Sequence, residues 1–214
     1  MVKKISKAGT INNIVNIQSK MDEKNITVSN TEGFFEEKYY FQDFYDDAKL
    51  KRFIKSVERM VRTSSQYHKY IGFLNNDMKL NRCAILGNIE KSQADIEMHH
   101  YPFTLYDIVY LNVMKRILSD EKFNTFLVAT SVLEDHYDNI IGVVPVSKIA
   151  HDLAHSGEIF ITLHSVFGNL GAFIDKYSMA MPEDMIVKYN QLLEYSDNNQ
   201  TYSEVDILKV RERL

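Results

Sequence analysis

The sequence predicts an α+β protein, with small antiparallel β elements set among several helices. Two observations carry that reading. Residues 46–70 and 104–117 place apolar side chains at helical spacing, whereas 82–87, 94–100 and 140–146 are short apolar or alternating runs bounded by turn residues. A third observation concerns chemistry: six of the seven histidines (His99, His100, His136, His151, His155 and His164) fall between residues 99 and 164.

Composition sets the outer limits. A chain of 214 residues is long enough for one sizeable core or two small ones. Cys83 is the only cysteine, so no internal disulfide forms, and a single free thiol suits a reducing compartment. The basic N-terminus is not followed by a long apolar run, and no window resembles a membrane span. The expectation from these features is a soluble, cytoplasmic protein that does not contact a membrane. A net charge of −4 weighs mildly against an obligate nucleic-acid binder, although charge distribution matters more than the total.

Taken in order, residues 1–45 allow a short strand or helix near 10–21, a strand at 25–29 and an aromatic run at 34–44 that completes a hairpin. Residues 46–70 read as a helix with Leu50, Phe53, Ile54, Val57, Met60 and Val61 on its apolar face. Lys51, Lys55, Arg59 and Arg62 form a stripe on another face. Such a stripe is most often a solvated surface, but it also suits phosphate tracking. Residues 82–87 and 94–100 read as a hairpin ending in His99-His100, and Pro102 stops the second strand. Helices follow at 104–117 and 121–133, with a loop at 135–139. Residues 140–146 read as a strand, with Pro145 marking an edge or an end. Ser147 caps a helix over 148–155, and Ser156-Gly157 ends it. A strand at 158–166, a turn at 168–171 and helices at 185–195 and 203–214 complete the chain. The domain reading is an N-terminal α/β segment at 1–80, a central core at 81–166 with a helical insertion at 101–139, and a C-terminal helical segment at 167–214.

The chemistry rests on the histidines. His151 and His155 are four apart and share one helical face, and a strand-end histidine can oppose them across the motif. Strand ending in His-His, later strand, capped helix with His-x3-His: this order resembles the ββα-metal nucleases, also called HNH or His-Me finger enzymes. The resemblance covers about a third of the chain and implies a metal-dependent endonuclease acting on DNA. His99, His151 and His155 would be the ligands, and His100 the general base that activates water. Asn139 or His136 would orient that base, and Lys51, Lys55, Arg59 and Arg62 would hold DNA. The ion would be Zn²⁺ or another divalent cation such as Mg²⁺, Mn²⁺ or Ni²⁺.

The chain departs from that pattern. About forty mostly helical residues separate the two strands, and the paired cysteine knuckles of many such enzymes are absent. A closed four-histidine site using His100 would be purely structural. The alternative reading is therefore a non-enzymatic, metal-stabilised binding or assembly protein of viral origin.

Overall fold

The fold is described from a computed structural model over residues 46–214; the elements expected within 1–45 lie outside the described residues. Among the described residues the protein is mostly helical, with eight α-helices and one two-stranded antiparallel sheet. The α+β expectation holds at that level. The chain divides into two compact units, each assembled from non-contiguous segments.

The first unit is helical. Helix α1 (Asp47–Thr63) begins at Asp46, whose carboxylate accepts from the Ala48 amide. It ends where the Ser64 hydroxyl turns back onto the Val61 carbonyl, so the single helix expected over 46–70 is two, α1 and α2 (Ser65–Asn76). Phe53, Ile54, Val57 and Val61 are buried on one face of α1. They pack among α3 (Leu105–Leu118) and α4 (Thr125–Tyr137). Phe53 meets Phe123 edge to face at 5.8 Å. Helix α6 (Leu170–Tyr177), capped by Asn169, closes the group by packing on α3.

A buried polar network ties three of these helices. Asp135 of α4 is fully buried and accepts from the Lys176 ammonium and the Tyr177 hydroxyl of α6. Asn112 of α3 donates to that hydroxyl at 3.0 Å and accepts from Arg116 at 3.1 Å. Burial pushes the Asp135 carboxyl up, and the Lys176 charge opposes the push.

The second unit holds the sheet. Strand β1 (Ile96–His100) pairs with β2 (Val143–Ser147), in register Ile96 with Ser147 and His100 with Val143. This differs from the expected hairpin. Residues 82–87 form a turn fastened by an isolated bridge between Arg82 and Glu90, and the partner of β1 comes from beyond residue 140. Pro145 is tolerated because its missing N–H falls on the side of β2 turned away from β1. The Pro145 carbonyl is used there by the Ala84 amide at 2.8 Å. Ser147 ends β2 and caps α5 (Lys148–His155), its hydroxyl accepting from Ala150, while Gly157 supplies the positive φ that releases the helix. The strand expected over 158–166 is instead an irregular segment with a short 3-10 turn at Leu163–Ser165. Helices α7 (Glu183–Asn198) and α8 (Glu204–Arg211) complete the unit.

Candidate metal centre

The histidine geometry follows from one strand-to-helix corner. Because Ser147 is both the last residue of β2 and the cap of α5, the helix starts with no connecting loop. The Lys148 amide also donates to the Asp95 carbonyl at 3.1 Å, pinning the start of α5 to the residue before β1. Helix α5 therefore packs on both strands. Leu153 and Ala150 face the core, and His151 and His155 occupy a neighbouring stripe of the same helix.

Strand alternation places His99 and His100 on opposite faces. His99 joins His151 and His155: one nitrogen from each ring lies within 4.8 Å of the others. The Nε2 atoms of His151 and His155 are 3.1 Å apart. Two bare lone pairs repel at that distance, so either a proton or a shared cation must lie between them. Two imidazoles on one tetrahedral zinc would have nitrogens about 3.3 Å apart, given zinc–nitrogen bonds of about 2.05 Å. The rings meet edge to face in every pair, with centroids 4.7 Å (His99–His151), 5.0 Å (His99–His155) and 4.5 Å (His151–His155) apart.

The electrostatics suit a cation. Burial and the two neighbouring imidazoles lower the His99 pKa to about 4, so its ring is neutral, with a lone pair available, at neutral pH. Nδ1 of His151 lies 3.3 Å from the Glu97 carboxylate, which favours the proton on Nδ1 and leaves Nε2 as the donor atom. Sequence reading did not give Glu97 this position. The period of two that puts it on the face of His99 was the available signal; its approach to α5 required the tertiary structure.

The other residues singled out in the sequence lie elsewhere. His100 is buried and outside the triad. His136 belongs to α4 in the first unit, fully buried, with Nδ1 donating to the Val132 carbonyl at 2.7 Å and the Tyr67 ring edge-on at 5.4 Å. Asn139 takes a positive φ of 53° just past α4, where its carbonyl accepts from Asn169 at 2.7 Å. Lys51, Lys55, Arg59 and Arg62 are all exposed on α1 of the first unit, whereas the triad is wholly in the second.

Comparison with known proteins bears on the chain as a whole. The model of the bacteriophage G278-like virion proteins matches residues 1–214. No curated protein and no solved structure matches the chain. The full-length match overturns the nuclease resemblance and the endonuclease function drawn from it. A strand-end histidine and a His-x3-His helix are local features that unrelated folds can share, and here they cover only a third of the chain. The match also corrects the cytoplasmic expectation, since it points to the phage particle. The viral alternative is the better reading, and the chain belongs to the bacteriophage G278-like virion protein family.

Proposed function

We propose that this chain is a structural component of the phage particle, stabilised by a transition-metal ion held by His99, His151 and His155. The observation that carries the metal part is the convergence of three imidazole nitrogens within 4.8 Å on a strand and a helix that are far apart in the chain. An ion there would staple β1 to α5. The donor set favours borderline-soft ions, zinc first, over the oxygen-preferring magnesium and calcium. A staple of this kind suits a sheet that has two strands among the described residues, because so small a sheet is marginal without help.

The test is a zinc titration of the metal-free full chain, followed by calorimetry and thermal melts. One equivalent should bind. At a free concentration a hundred times the Kd, the gain is about 2.7 kcal/mol, or roughly 8 °C in melting temperature for a protein of this size. The double variant His151→Ala/His155→Ala should lose both effects while keeping its helical circular dichroism. A wild-type chain that neither takes up zinc nor gains stability from it would overturn the staple. The virion role is checked separately, by mass spectrometry of purified particles.

A further inference from the structure

Three imidazoles are one donor short of a closed site. Structural zinc is held by four protein donors, and an incomplete set leaves a position for something else. Among the described residues the chain has little to offer for that position. All seven histidines and the single cysteine lie within the described residues, so residues 1–45 contribute neither. Among the described residues no fourth His, Cys, Asp or Glu joins the triad. His164 binds the Ser196 carbonyl at 2.9 Å, and Cys83 is buried 3.8 Å from the Ser147 hydroxyl. His100 is on the opposite face of β1, and His136 is buried in α4. The two nearby carboxylates, Glu97 at 3.3 Å and Asp152 at 3.7 Å, both approach Nδ1 of His151, away from the Nε2 edge that meets His155.

The open side of the triad is also its accessible side. His155 is exposed at the end of α5, while His99 and His151 are half-buried. A chain that works inside a particle meets other protein chains there.

We propose that the fourth coordination position takes a single imidazole or carboxylate side chain from another protein chain of the particle, so that the ion joins two chains rather than closing within one. This inference rests on the metal reading above, and the experiment separates the two. Cobalt(II) is titrated into the full metal-free chain, with visible ligand-field absorption and sedimentation followed together, before and after addition of free imidazole. His155→Ala serves as the control, with circular dichroism reporting its fold.

Cobalt-dependent doubling of the sedimenting mass, reversed by free imidazole and absent in His155→Ala, supports the proposal and assigns the donor to a second copy. A cobalt-loaded monomer whose absorption shifts on adding imidazole shows an open position that no second copy fills; metal-dependent cross-linking of His155 to a different chain in purified particles then supports the proposal, and its absence overturns it. A cobalt-loaded monomer whose absorption ignores imidazole means a closed site; that overturns the inference and leaves the staple standing. Absence of cobalt absorption overturns both.

Discussion

His136 shows how a single residue can mislead when read by type alone. A histidine in a polar stretch, 135–139, invites a functional role, yet burial lowers its pKa to about 4, and the neighbouring Arg62 charge acts in the same direction. The Val132 carbonyl and the Tyr67 ring receive it as a neutral, packed side chain. The unfolded chain takes up a proton at this residue as pH falls through about 6.5, while the folded chain resists until about pH 4. Stability is therefore full above pH 6.5 and is lost between 6.5 and 4, by about 3 kcal/mol from this group. His99, lowered for similar reasons, adds to the same slope. Urea melts at pH 7, 5.5 and 4.5 in the presence of chelator should show a shallower pH slope for His136→Gln than for wild type. Equal slopes would mean that His136 is not held neutral.

Asp135 obeys the opposite logic. It is a fully buried carboxylate whose burial is offset by Lys176 and Tyr177. Replacing Lys176 by Met removes the cation and raises the folded carboxyl pKa further. A raised carboxyl pKa means that the folded state holds the proton longer, so stability falls as pH rises. Lys176→Met should cost about 3 kcal/mol at pH 8 and clearly less at pH 5. A cost independent of pH would show that the ion pair is not what the substitution removes.

Among the elements, α5 carries the most consequence for its length. It has eight residues, too few to be stable alone, so its cap and its packing hold it. The Ser147 hydroxyl caps it and also lies against Cys83, which places the helix start under two constraints. Ser147→Ala should lower stability by about 1 kcal/mol. If that cost falls wholly on α5, zinc affinity should weaken by up to about five-fold, the same energy expressed as a ratio. Melts and zinc titrations on the same preparation check both numbers, and an unchanged zinc affinity would show that α5 is ordered independently of its cap. This helix was legible to the residue, because a Ser cap, apolar spacing and a terminal glycine agree with one another. Residues 82–87 were not. Their apolar run has the length of a strand, but the backbone instead turns at Gly87, with φ of 63°. Short apolar runs do not distinguish a strand from a buried turn.

For the whole molecule, the division of the chain matters most. Among the described residues each compact unit draws on three stretches: the first on 46–67, 105–141 and 168–180, the second on 68–104, 142–167 and 181–214. A truncation after Ile141 therefore leaves the first unit without α6 and the second without β2 and α5. The fragment should show no cooperative thermal transition, checked by calorimetry. A sharp transition would mean that one unit is complete without those segments.

Local residue pattern was enough for most helix positions, the Ser147 cap and the helical spacing of His151 and His155, because each depends on neighbours a few residues apart. Tertiary structure alone decided that β1 pairs with β2 across some forty intervening residues, that His99 meets the α5 histidines while His100 is turned away, and that Glu97 stands behind His151. Those outcomes rest on contacts between segments far apart in the chain. Such contacts are chosen by which apolar faces bury one another, and neither periodicity nor spacing along the chain encodes that choice.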